Sequence, residues 1–314
     1  MEKLILLFSG QGAQYSGMGL DLYQNDPLFK EKIDQASQAS GLDLVKILAN
    51  KDGQLDKTAY VQPALVAVSL GIYAMLKRDY TLDIAGMVGL SLGEYGALMA
   101  SGALDEREGM RLLRARGEYM QTDADATASM LAAVLGPDIP QVEAICQQVN
   151  QADHPVAVAN YNSPKQVVIG GSPAAVTQTI EKLQTAGAAK KVVPLQVSGA
   201  FHTPLFKNSS SQLERRLQTV GFTEPQVPVI SNTTGQPFTK DNVATILSRQ
   251  VCVPTHFADC VKYLLAKREV TGVLEIGPGV TLSKFVKQID RNLARYHIED
   301  LATYRDYGAQ VRGN

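Results

Sequence analysis

The sequence predicts an α/β protein in which a larger unit, built on a parallel sheet, is interrupted by a small ferredoxin-like unit. Three observations predict it. The apolar run Ile84-Ala85-Gly86-Met87-Val88 leads straight into Gly89-Leu90-Ser91-Leu92-Gly93 and then into helix-like residues 94–99, which reads as strand, tight turn, helix. Residues 129–195 read strand 129–135, helix 138–150, strands 155–161 and 166–171, helix 173–186 and strand 190–195, the β-α-β-β-α-β order of a ferredoxin-like unit. Outside that stretch, helices alternate with short buried strands, as at 4–8, 227–230 and 270–276. The expected organisation is a larger domain of residues 1–126 and 198–314, with 127–197 inserted into it.

Each element has a local reason. Residues 4–8 are five consecutive apolar residues, too few for a signal-peptide core, and read as a buried first strand. The loop Ser9-Gly10-Gln11-Gly12-Ala13-Gln14 is rich in glycine, but Tyr15 stands where a dinucleotide fingerprint needs its third glycine. Helices are expected over 27–50 and 61–78. Asp105, with Glu108 three positions on, makes a capping box for a helix running past Met110, Leu112, Leu113 and Met120 and carrying Arg111, Arg114 and Arg116. Asn162-Ser163-Pro164-Lys165 turns the chain between the two middle strands of the small unit. Gly277-Pro278-Gly279 closes the strand at 270–276, and the segment around His297 reads as a polar tail.

Bulk properties narrow the function. The 314 residues are 45% apolar and 19% charged, with a net charge of −1 and a pI near 6.4, which offers nucleic acid no basic footprint. No run is expected to span a membrane. Cys146, Cys252 and Cys260 are odd in number and lack metal-ligand spacing, so reduced thiols in a cytoplasmic protein are expected, with no metal.

The chemistry centres on Ser91. A tight turn projects its hydroxyl, and the following helix N-terminus favours negative charge developing beside it. The alternative is a turn that merely needs its glycines. A serine hydroxyl needs a base, and four histidines are available. His154 precedes a proline at a strand start, His297 falls in the polar tail, and His256 sits at a helix start beside Phe257. His202 follows Ser198-Gly199 where the chain re-enters the larger unit, at a boundary where clefts form. It is the preferred base and His256 the second choice. Chain order disfavours an ordinary α/β-hydrolase, whose histidine comes late; the only late pair, Asp290 and His297, is weakly spaced.

Several segments then fall into one register: residues 8–14, 89–95, Arg116-Gly117-Glu118-Tyr119-Met120-Gln121, Asn160-Tyr161-Asn162-Ser163-Pro164, Gly199-Ala200-Phe201-His202, Ser231-Asn232-Thr233, Arg249-Gln250 and Glu275-Ile276-Gly277-Pro278-Gly279. Together, over about residues 4–290, they resemble the malonyl-CoA:acyl carrier protein transacylases. The resemblance implies an α/β-hydrolase-like larger domain with an inserted ferredoxin-like domain. It implies transfer of malonyl from malonyl-CoA to the phosphopantetheine thiol of acyl carrier protein, with CoA as product and no tightly bound cofactor. Ser91 would be the nucleophile and His202 the base, oriented by the backbone carbonyl of Gln250. Backbone N–H groups of Gln11 and Leu92 would form the oxyanion hole, and Arg116 would pair with the malonyl carboxylate. Without the resemblance, Arg116 reads as one more arginine on a solvated helix, like Arg111 and Arg114.

In related polyketide acyltransferases a bulky aromatic before the histidine accompanies malonyl, so Phe201 points the same way. Leu90 departs from relatives that carry histidine there and is expected to tune acyl preference. Two alternatives stay open: a discrete acyltransferase serving a polyketide synthase, and a serine thioesterase or esterase, which would have no use for Arg116.

Overall fold

The computed structural model describes residues 2–195 and 197–312. Strand β1 (Lys3–Phe8) is buried from Leu4 onward, as a central parallel strand covered on both faces should be. Helices α1 (Leu20–Asn25), α2 (Pro27–Ser40) and α3 (Leu44–Ala49) follow. The single helix expected over 27–50 is two helices, because Gly41 takes φ 68° as a left-handed C-cap and Asp43 caps a new start by accepting the Lys46 N–H. Helix α4 (Thr58–Asp79) is, by length and apolar composition, capable of crossing a membrane, contrary to the expectation that no run would be. With 83% of its apolar window buried inside the protein, it packs as a core helix.

Strand β2 (Asp83–Gly89) leads through the turn into α5 (Gly93–Ala100), and α6 (Glu106–Ala126) starts at Asp105, whose carboxylate accepts the Glu108 N–H at 2.9 Å. Next come β3 (Met130–Leu135), α7 (Ile139–Val149), β4 (Val156–Ser163), β5 (Gln166–Gly171), α8 (Pro173–Thr185) and β6 (Lys191–Leu195). These strands form an antiparallel sheet in the order β4-β5-β3-β6, the ferredoxin-like arrangement. Val134, Val142, Ile145, Val167, Ile169, Val176 and Leu183 form its own apolar core.

The chain then adds α9 (Lys207–Leu217), α10 (Val243–Gln250), α11 (Phe257–Lys267), β7 (Gly272–Ile276), α12 (Thr281–Ile289), β8 (Ala294–Ile298) and α13 (Leu301–Arg312). The expected strand at 227–230 makes only single bridges, Met87 to Val229 and Ile230 to Pro237; Pro228 has no N–H to extend a ladder. The expected polar tail is instead an edge strand and a helix. β8 runs parallel to β7 with His297 opposite Glu275.

The larger sheet is wholly parallel, in the order β2-β1-β7-β8. The carboxyl ends of β1, β2 and β7 therefore lie side by side, where ligands of open parallel sheets bind. Ser9, the first residue after β1, joins two of these ends by donating its hydroxyl to the Pro278 carbonyl at 2.9 Å.

Candidate active site

The turn after β2 depends on its glycines for space. A Cβ on Gly89 would lie 1.9 Å from the Gly93 carbonyl carbon, and one on Gly93 would lie 2.1 Å from the Phe8 oxygen. This packs the start of α5 directly against β1. Between the glycines, Ser91 holds φ 51°, a conformation costly for a residue with a side chain. Its N–H is secured by donation to Asn232 Oδ1 at 2.8 Å.

His202 is the other strained residue here, with φ 64°. Its N–H donates to the Val251 carbonyl at 2.9 Å, and its Nδ1 lies 2.8 Å from the Gln250 carbonyl oxygen. A carbonyl only accepts, so Nδ1 carries the proton and Nε2 keeps its lone pair. Burial, assisted by the Arg116 cation, lowers the imidazole pKa to about 4 against the pull of the Gln250 and Val253 backbone. The ring is therefore neutral at physiological pH, as a base must be.

Arg116 is 1% exposed. Its Nη1 donates to Gln62 Oε1 at 2.6 Å, and its Nη2 donates to Gln250 Oε1 at 2.9 Å and to Ser91 Oγ at 3.3 Å. The guanidinium lies 5.1 Å from the Tyr95 ring centre, while Nε has no partner among the described residues. A second buried charge, Glu94, is fully enclosed behind it. Burial raises the Glu94 carboxyl, and the Asn232 N–H, the Gln250 amide and Arg116 oppose this by favouring the anion, the form whose two oxygens both accept.

Ser91, Leu92, Gln11, Arg116, Phe201 and His202 all line one cleft of about 280 Å³. Its opposite wall comes from the antiparallel sheet, through Leu131, Asn160, Gln166 and Val168. No protein acceptor among the described residues takes the N–H of Gln11 or of Leu92. Gln11 is held by its side chain, which accepts from Thr58 Oγ1 at 2.8 Å; Thr58 accepts in turn from Gln62 at 2.7 Å. Phe201 packs edge-on against Phe206 with ring centres 4.9 Å apart. Leu90 lies on the same wall as Ser91. Gln250 stands behind the cleft, reaching it through Arg116, Ser91 and His202.

The Ser91 hydroxyl and the His202 ring face this cleft without a hydrogen bond between them; the hydroxyl accepts from Arg116 and keeps its proton free to donate. The other histidines stand outside it. His256 stacks on Tyr161 at 4.7 Å with Nδ1 3.5 Å from Asp259, His154 is exposed, and His297 sits on the edge strand β8. Asp290 caps the end of α12, outside the cleft as well. Among the described residues no cluster of three or more His, Cys, Asp or Glu could hold a metal ion. Cys146, Cys252 and Cys260 are free thiols.

Sequence reasoning did not single out Gln62, Glu94 or Asn232. Glu94 and Asn232 lay within segments noted above, and a carboxylate on the apolar helix after the turn was the available signal. Gln62 carried none.

Fold and site together define an α/β enzyme with a serine elbow at the carboxyl edge of its parallel sheet and a ferredoxin-like sheet across the cleft. The acyl transferase domain family matches residues 5–305, and the chain belongs to that family. The malonyl CoA-acyl carrier protein transacylase of Bacillus subtilis (strain 168) is 35% identical over 306 residues, covering 96% of this chain and 95% of that protein. A solved structure of MCAT from Streptococcus pneumoniae superposes with a TM-score of 0.93 at 41% identity, covering 98% of this chain and all (100%) of that one. Another, a type II PKS acyl-carrier protein in complex with its malonyl-transacylase, gives 0.92 at 31% identity, over 96% of this chain and 98% of that one.

Proposed function

We propose that this acyltransferase moves malonyl from malonyl-CoA to the phosphopantetheine thiol of an acyl carrier protein, through an ester on Ser91. The observation that carries this reading is Arg116: a fully buried cation on the cleft wall, 3.3 Å from the Ser91 hydroxyl, with neutral side chains as its hydrogen-bond partners. A substrate bearing a carboxylate two bonds from its thioester carbonyl would bring an anion into direct contact with it. The guanidinium fork suits a bidentate carboxylate better than an ammonium would.

In this mechanism His202 Nε2 takes the hydroxyl proton as Ser91 Oγ attacks the thioester carbon. The free N–H groups of Gln11 and Leu92 receive the oxyanion, an effect worth about 3–4 kcal/mol per donor in comparable sites. Collapse breaks the carbon–sulfur bond, and His202 returns the proton to the CoA thiolate. The carrier thiol then repeats the sequence in reverse: it loses its proton to His202, attacks the ester carbon, and Ser91 recovers the proton.

The two separate sheets and cores support a division into residues 1–126 with 198–314 and an inserted 127–197, the acyl chain lying between them. Free thiols fit a cytoplasmic location. We place the product in fatty acid synthesis; the likeness to a transacylase complexed with a type II PKS acyl-carrier protein favours polyketide supply as the second reading. The test incubates labelled malonyl-CoA with a fatty-acid carrier protein and, separately, a polyketide carrier protein. Label on a carrier supports transfer, and the faster carrier names the pathway. Release of free malonate without carrier labelling would mark a thioesterase instead.

A further inference from the structure

We propose that Glu94 is a positioning residue: its carboxylate sets which way round the Gln250 amide lies, and so holds Arg116 in place for the substrate carboxylate. The proposal rests on the malonyl-transfer reading above.

Glu94 lies on α5, three residues past Ser91, and is 0% exposed. One carboxylate oxygen accepts the backbone N–H of Asn232, and the other accepts the side-chain amide of Gln250. Asn232 is the residue whose Oδ1 holds the strained Ser91 N–H. Gln250 Nε2 also donates to the Ser91 carbonyl at 2.9 Å, while its Oε1 accepts from Arg116 at 2.9 Å. One carboxylate thus touches both clamps on the nucleophile's backbone.

The direction of every bond is dictated by its fixed members. A guanidinium and a backbone N–H can only donate, and a backbone carbonyl can only accept. Gln250 must therefore present its oxygen to Arg116 and its NH₂ group to Ser91 and position 94. The side chain at 94 must then accept twice. A glutamate does so; a glutamine of equal size accepts at one end only.

In Glu94→Gln, the Asn232 N–H claims the single amide oxygen. The introduced NH₂ then meets the NH₂ of Gln250. If Gln250 turns over to relieve this contact, it sets NH₂ against Arg116 and oxygen against the Ser91 carbonyl. Either way a buried donor loses its acceptor, and the arginine loses its anchor. A residue that merely filled the core would tolerate this isosteric change with no effect on substrate choice.

The experiment compares wild type, E94Q, Q250E and E94Q/Q250E, reading kcat/KM for malonyl and acetyl transfer together with thermal melts. In the double variant the run from Arg116 through 250 and 94 to Asn232 is matched again, and only the Ser91 carbonyl loses the donor that Gln250 gave it. The amide at 94 accepts from Asn232 and donates to the carboxylate at 250, which accepts from Arg116, while the 250 backbone carbonyl still holds His202. E94Q should lower the malonyl-to-acetyl ratio by about tenfold or more, and the double variant should recover part of it, a coupling of the size seen within one hydrogen-bond network. A ratio within about twofold of wild type in E94Q, or a double variant no better than either single change, overturns the proposal. If E94Q does not fold, Q250E against the double variant decides, because Q250E sets two buried carboxylates together and E94Q should relieve it. Wild-type protein that transfers no malonyl would refute the functional reading itself, a result distinct from any of these.

Discussion

His202 Nδ1 faces a peptide carbonyl, that of Gln250, at 2.8 Å. A carboxylate in that place would stabilise the imidazolium; a neutral carbonyl fixes tautomer and orientation while adding no negative charge. With burial and the Arg116 cation acting in the same direction, the ring stays unprotonated down to about pH 4.

That leads to a pH dependence. The acylation rate should hold on acidification through pH 6 and fall only near pH 4, where His202 gains its proton. The folded-state pKa lies below the ordinary 6.5, so between those values the unfolded chain binds more protons. Stability is then lost as pH falls from about 6.5 to about 4, by roughly 3 kcal/mol from this residue. Urea midpoints at pH 7 and pH 4.5 should differ less in His202→Ala than in wild type. Equal differences would show that His202 does not carry this linkage.

His202→Ala should slow acylation by about 10²–10⁴-fold, the usual yield of a general base. His256→Ala should change it only several-fold, since His256 packs on Tyr161 away from the cleft. Single-turnover acylation of the two variants ranks them, and the opposite ranking would assign the base to the wrong histidine.

Arg116→Ala should weaken malonyl transfer by about 2–5 kcal/mol in transition-state free energy, the range for breaking a buried charge pair. Acetyl transfer should fall little or rise, having no carboxylate to lose. Arg116→Lys should rescue malonyl only in part, lacking the fork that reaches Gln62 and Gln250 together. The malonyl-to-acetyl ratio of kcat/KM reads this directly; an unchanged ratio would leave the cation without a substrate partner.

Gly93→Ala should destabilise the fold by about 3 kcal/mol or more, because its methyl would enter the Phe8 carbonyl at 2.1 Å and backbone must move. Gly221→Ala meets nothing within 4 Å and should lie within about 0.5 kcal/mol of wild type. Denaturant titration compares them.

The strand–turn–helix at 84–99 and the small unit were legible because their signals are local: apolar runs, glycines at fixed offsets, and alternating periods. Arg116 was legible only through the family resemblance, and the reason for its burial went unread. Leu113, Arg116, Gly117 and Met120 follow the i, i+3, i+4, i+7 stripe of one helix face, which buries Arg116 while the Arg111 side chain stays 57% exposed. Strand β8 was missed because Ala294-Arg295-Tyr296-His297-Ile298 is an edge strand with a single fully buried residue, giving little apolar pattern. The partnerships of Asn232 with Ser91 and of Gln62 with Arg116 join residues 141 and 54 positions apart, and no local pattern reports such a meeting.

The most direct test of the account is the intact mass of the protein after mixing with malonyl-CoA. Wild type should gain one malonyl group, lost again when carrier protein is added, as a covalent intermediate between two half-reactions requires. Ser91→Ala should gain none. Malonyl attached to the Ser91→Ala protein, or a wild-type protein that turns over without ever carrying the group, would contradict the central claim.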